Sequence, residues 1–148
     1  MTRKFVLDTN LYIDAIRDPG KEAAMDAFLE RNAPVTYMSA VVMQELRAGA
    51  ITDASARALD KGIFDVFERR GRVVGPSVIA FKECGRILAV LFRQDGVAFK
   101  DRPRSLVNDI LIALTCRENG MTLLTGDVDF KNIRRFIRGF SFGTPWPV

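Results

Sequence analysis

The sequence predicts a single α/β domain over residues 1–148, with a short, mostly parallel central sheet of about 4–5 strands flanked by helices. Three observations predict it. Short apolar runs alternate with longer segments of helical periodicity. The first run, Phe5-Val6-Leu7, ends abruptly in Asp8, Thr9 and Asn10, as a buried parallel strand does where it leaves the sheet. The length of 148 residues suits one domain, and no repeat, low-complexity segment or linker divides it.

The elements follow in order. Leu11 to Ile16 has helical spacing, and Asp18-Pro19-Gly20 reads as a turn. Lys21 to Arg31 predicts a helix with Ala24, Phe28 and Leu29 on its apolar side, broken by Asn32-Ala33-Pro34. Val35 to Met38 is a short strand, and Ser39 caps a helix from Ala40 to about Ala50. Asp53 opens a longer helix to about Arg70, ended by Gly71, and Arg72-Val73-Val74 is a third strand. Pro76-Ser77 starts a helix to about Gln94, and Asp95 to Arg104 is a polar, basic loop. Ser105 caps a helix from Leu106 to about Glu118, which Asn119-Gly120 stops. Met121 to Thr125 is a fourth strand. Asp127 and Asp129 lead into a short helix through Arg135, with Asp129 as its expected cap. Phe140-Ser141-Phe142 is a last strand before a Pro-rich tail.

Composition narrows the function. Hydrophobic residues make up 48% and charged residues 27% of the chain, an ordinary balance for a soluble protein. No apolar run approaches the roughly 20 residues needed to span a bilayer. No long apolar core follows Arg3 and Lys4, so neither a membrane partner nor a secretory signal is expected. Cys84 and Cys116 lie far apart in apolar helical segments and read as buried free thiols, which fits a cytoplasmic location. The net charge of +4 points weakly to a polyanionic partner. The chain has no histidine. Ser-His-Asp and Cys-His chemistry, histidine zinc sites and histidine general bases are therefore excluded. Carboxylates, a metal or lysine must carry any hydrolysis.

Acids recur in places where acids are costly. Asp8 sits at the carboxyl edge of the sheet, where open α/β folds bind ligands; alone, it reads more readily as the cap of the next helix. Glu45 lies among Val41, Val42, Ala48 and Gly49, on the expected core side of its helix. Asp109 lies among Leu106, Ile112 and Ala113 near a helix start, where the helix dipole favours negative charge. Asp127 and Asp129 follow the fourth strand at the same sheet edge. Buried carboxylates normally pair or coordinate a metal, and converging ones raise each other's pKa. A divalent cation resolves the conflict. Mg²⁺ or Mn²⁺ suits oxygen ligands and meets substrate phosphates, and such an ion can activate water against a phosphodiester. With a basic surface, the chemistry implied is metal-dependent hydrolysis of nucleic acid.

These pieces resemble the PIN-domain ribonucleases, and in particular the VapC-type toxins of type II toxin–antitoxin pairs. The matching segments are Val6-Leu7-Asp8-Thr9-Asn10, Ser39 through Glu45-Leu46, Asn108-Asp109 with its apolar helix, and Leu124 through Phe130. Together they span nearly the whole chain. The resemblance implies that Asp8, Glu45, Asp109 and Asp127 are the catalytic, metal-holding acids, with Asp129 just beyond as an alternative fourth ligand. It implies that Thr125 holds a metal-bound water and that Thr9 and Asn10 line the same pocket. It further implies a Mg²⁺ or Mn²⁺ cofactor, an RNA substrate, and a homodimer or toxin–antitoxin hetero-oligomer in which a cognate antitoxin inserts a segment to block the site. Gly126 stands where a larger polar or basic residue is common. Of the basic residues, Lys100, Arg102, Arg104, Arg134, Arg135 and Arg138 read as a phosphate-tracking rim or as ordinary surface. Arg102 and Arg104, in the loop before Asp109, are the favoured substrate contacts. Phe64 and Phe67 read as core or dimer contacts.

Two rival readings belong to other classes. A catalytically idle PIN-like module could bind RNA or a protein, although the chain keeps every acid. A phosphatase with Asp8 as nucleophile would want a second acid two residues on, and position 10 is Asn.

Overall fold

The computed structural model describes residues 2–146. Five strands form one sheet: β1 (Lys4–Leu7), β2 (Thr36–Ser39), β3 (Val73–Val74), β4 (Met121–Leu124) and β5 (Ser141–Gly143). Their spatial order is β3-β2-β1-β4-β5, and every pairing is parallel. The sheet is thus wholly rather than mostly parallel. Phe5, Val6 and Leu7 are buried, as a strand covered on both faces requires. Leu7 pairs with Leu124 in register, and the Asp8 amide extends the pairing to the Leu124 carbonyl at 3.0 Å. The chain leaves β1 for β2 on one side and returns to β4 on the other. The carboxyl ends of β1 and β4 therefore flank the switch point at which open α/β sheets bind ligands.

The helices cover both needs, packing and placement of the acids. They are α1 (Thr9–Arg17), α2 (Pro19–Asn32), α3 (Ala40–Gly49), α4 (Asp53–Leu59), α5 (Asp65–Arg69), α6 (Val78–Asp95), α7 (Arg104–Glu118) and α8 (Phe130–Arg134). The core runs from the β1 side chains through Met38, Val42, Ile87 and Leu123 to the buried run Ile110 to Leu114 of α7. Phe64 and Phe67 are buried in this core. So are both cysteines, which are free thiols.

Several boundaries differ from the sequence expectation. Asp18-Pro19-Gly20 is not a free turn but the start of α2: Pro19 takes the first helical position, and Asp18 accepts from the Gly20 and Lys21 amides. The helix opens at Asp53 as expected, capped by Thr52 with Ser55, but it is not continuous to Arg70. It passes through a π turn (Asp60–Phe64) between α4 and α5. α7 begins at Arg104 with Pro103 in the cap position, so Ser105 is not its cap. The basic loop before it contains a single 3₁₀ turn, Phe99–Asp101. Ala48 and Gly49 are exposed rather than core-facing, because α3 ends there. The end of the Pro-rich tail, Pro147-Val148, lies outside the described residues.

Ser39 shows how the sheet places a functional helix. It closes β2, is 1% exposed, and its hydroxyl accepts from the amides of Val41 and Val42 at 3.2 and 3.3 Å. It thereby caps α3, which carries Glu45. Replacing such a cap by alanine costs about 1 kcal/mol, or about 2–4 °C in melting temperature at this chain length. Thermal melts of Ser39→Ala check this; an unchanged midpoint would contradict the cap's contribution.

Candidate functional site

A line of hydrogen bonds at the switch point links Glu45, Asp8, Asp127 and Asp129, and Asp109 lies outside it. Asp8, 5% exposed, is the residue after β1. One of its oxygens accepts from the Thr9 amide at 2.8 Å, so it does cap α1. Its other oxygen accepts from the Thr125 hydroxyl, across the sheet, at 2.7 Å. Capping and site membership are therefore compatible, since each uses a different oxygen. The Thr125 hydroxyl accepts in turn from the Asp127 amide at 2.9 Å. Asp127 then accepts from the Asp129 amide at 2.8 Å. On the other side, the Thr9 hydroxyl donates to Glu45 at 2.6 Å, and the Asn108 amide donates to the second Glu45 oxygen at 3.3 Å.

Asp109 follows Asn108 on α7 and is half-buried. Burial pushes its carboxyl up to about 7, and the charges of Asp8, Glu45, Asp127 and Asp129 push the same way. Asp8 is also raised, chiefly by burial, against the lowering effect of its bonds from Thr125 and Thr9. Among the described residues no lysine or arginine forms an ion pair with any of these acids; the ion pairs found are Lys21–Asp14, Arg86–Glu83 and Arg102–Asp95. Uncompensated carboxylates of this kind are a standing electrostatic cost that a cation would relieve.

The donor set is entirely hard oxygen, which suits Mg²⁺ or Mn²⁺ and not a thiolate- or imidazole-seeking ion. Among the described residues, no three acidic or cysteine side chains stand close enough together to hold a metal ion between them.

The remaining residues named from the sequence fall as follows. Thr9 and Thr125 are buried within the hydrogen-bonded line, while Asn10 is exposed on the first turn of α1. Asp129 is exposed and makes no cap bond; the cap-like bond comes from Asp127 instead. Arg102 is engaged by both oxygens of Asp95 at 2.8 and 2.9 Å, with a side chain 9% exposed. Arg104, the first residue of α7, is exposed, as are Lys100, Arg134, Arg135 and Arg138. The Arg134 guanidinium lies over the Phe142 ring at 4.9 Å. Sequence reasoning took Asn108 only as the residue before Asp109; an amide beside an acid carries no pattern that marks it.

The Thr125 hydroxyl has a measurable role. Thr125→Val keeps the shape but leaves a buried Asp8 oxygen and the Asp127 amide without their partner. Losing a buried bond to a charged group costs about 1–3 kcal/mol. Denaturant unfolding at neutral pH should show that loss in Thr125→Val and near-complete recovery in Thr125→Ser. Equal stability of the two variants would contradict the geometry.

With fold and site in place, comparison with known proteins assigns the family. Residues 5–136 match the PIN domain, and the chain belongs to the PIN domain family. Among curated proteins, none matches the sequence. Among solved structures, the chain is similar to DNA-bound VapBC from Salmonella typhimurium, with 23% identity over 99% of this chain and 100% of that one and a TM-score of 0.68. It is similar to FitAcB from Neisseria gonorrhoeae, at 20% identity over 97% and 99% of the two chains and a TM-score of 0.66. It is also similar to VapBC2 from Rickettsia felis bound to a promoter DNA fragment, at 23% identity over 95% and 97% and a TM-score of 0.62. At these identities the likeness is one of fold.

Proposed function

We propose that this chain is a Mg²⁺-dependent endoribonuclease, the VapC-type toxin of a toxin–antitoxin pair. The observation that carries the reading is the hydrogen-bonded line of acids, free of basic partners, at the switch point of a PIN fold. Asp8, Glu45, Asp109 and Asp127 would hold the cation, directly or through water, with Asp129 at the outer edge. A bound Mg²⁺ supplies a Lewis acid that lowers the pKa of water and offsets the charge of the scissile phosphate. Thr125 and Thr9 fix the carboxylates of Asp8 and Glu45, so that the acids converge without collapsing onto each other. Asp109, whose carboxyl burial pushes up to about 7, would have to be deprotonated to serve as a ligand. Arg104 and the exposed arginines after α8 provide the rim along which an RNA backbone is held.

Surface features support the partners. A cleft of about 290 Å³ is lined by Ile13, Ile16, Leu46, Leu59 and Ile63 and reaches Glu45. Ile16 and Ile63 also line a second cleft of about 310 Å³. An apolar antitoxin segment lying along both would end beside the acids, where a basic side chain could occupy the place of the cation. On α6 and beyond, Val78, Phe81, Phe92 and Phe99 are 78%, 57%, 49% and 66% exposed. These exposed apolar side chains would be the contacts of a homodimer.

Induction in cells tests the reading. Wild-type protein should arrest growth and generate discrete new RNA 5′ ends, and Asp8→Asn should do neither. Arrest without new ends, or RNA capture without cleavage under any metal, would overturn it in favour of a binding module.

A further inference from the structure

We propose that Asn108 is a positioning residue for the acidic site, whose side-chain amide holds Glu45 where it can serve a cation. The proposal rests on the cation-dependent reading above and adds a residue which that reading does not require.

Glu45 is the acid whose carboxylate stands furthest from its backbone, at the end of three rotatable bonds. It is only half-buried, and it also faces the apolar cleft beside α1. Unheld, it could turn along that cleft and away from Asp8. Two donors prevent this, each on its own oxygen: the Thr9 hydroxyl of α1 at 2.6 Å and the Asn108 amide of α7 at 3.3 Å. Asn108 is 6% exposed, so its amide is held by packing, and its bond to Glu45 is partly buried. Helix α7 thus supplies one acid, Asp109, and steadies another from α3.

The residue type matters. A lysine or arginine at 108 would neutralise Glu45 and compete with a cation. An aspartate would add one more carboxylate to an already crowded site. An amide donates a hydrogen bond and brings no charge. It is the side chain of this size that restrains a carboxylate and leaves its charge available. Supporting partners of metal ligands act in this way, and their removal weakens metal affinity by about 10–100-fold.

The test is direct Mn²⁺ binding to the metal-stripped full-length protein, read by electron paramagnetic resonance, with thermal melts in parallel. Asn108→Ala and Asn108→Ser should each raise the Mn²⁺ dissociation constant by about 10-fold. In a Glu45→Gln background, the same substitutions should change it by less than about twofold, because the two side chains act as one unit. The serine variant keeps the test open if the alanine variant fails to fold. Wild-type affinity in either variant, with or without a lowered melting temperature, would make Asn108 a residue of the fold alone and overturn the proposal. An equal loss in the Glu45→Gln background would do the same. If the wild type itself bound no Mn²⁺, the cation-dependent reading would fall first and this proposal with it.

Discussion

Asp8→Asn should abolish RNA cleavage, by more than about the hundredfold that loss of a supporting partner costs a metal site, and should leave the fold intact. The asymmetry follows from what each Asp8 oxygen does. Asparagine is as good a helix cap as aspartate, so the bond from the Thr9 amide survives. The Thr125 hydroxyl can accept as well as donate, so it can meet the new amide. What is lost is the negative charge at the meeting point of β1 and β4. That charge is costly to the metal-free protein, because burial holds the Asp8 carboxyl above its usual range. The variant should therefore melt at or above the wild-type temperature in chelator while cutting nothing. A variant that cut RNA at the wild-type rate would remove Asp8 from the site.

The second large effect is at Asp109, and it has a pH signature. The folded protein holds this proton more tightly than the unfolded chain does, with the carboxyl at about 7 against an ordinary 3.8. Stability linked to it is fully present below about pH 4. It is lost as pH rises to about 7 and stays lost above that. Asp109→Asn removes this slope. At pH 8 in chelator it should stabilise the protein by about 1–2 kcal/mol once solvent screening is allowed for, or about 2–8 °C. At pH 4 the difference should vanish. The same substitution should eliminate cleavage, so that gain of stability and loss of function share one cause. Melts of wild type and Asp109→Asn at both pH values decide it. A destabilised variant at pH 8 would contradict the account of mutual repulsion.

Much of this was legible in the sequence for a physical reason. A buried parallel strand must be apolar, so the carboxylate that ends Phe5-Val6-Leu7 marks the sheet edge, and Leu123-Leu124 marks it again near Asp127. Acids on apolar helix faces stood out at Glu45 and Asp109 for the same reason. What was not legible depends on contacts between distant segments. The strand order that places β1 between β2 and β4 is set by long-range packing. The pairing of Arg102 with Asp95 joins the two ends of a loop and could not be told from a free basic rim. Local chemistry also misled: Pro19 fits the first turn of a helix as well as a turn, and Asp127 provides the bond expected of Asp129. Asn108 reveals itself only when α3 and α7 are brought together.

The central claim is that the acids act through a divalent cation on RNA, and one measurement meets it directly. Purified wild type and Asp8→Asn, stripped with EDTA, are incubated with total RNA, and Mg²⁺ or Mn²⁺ is then added back. The account predicts no cleavage by either protein in EDTA and discrete cleavage by wild type alone once metal returns. Cleavage that persists in EDTA, or that Asp8→Asn performs as well as wild type, would contradict it.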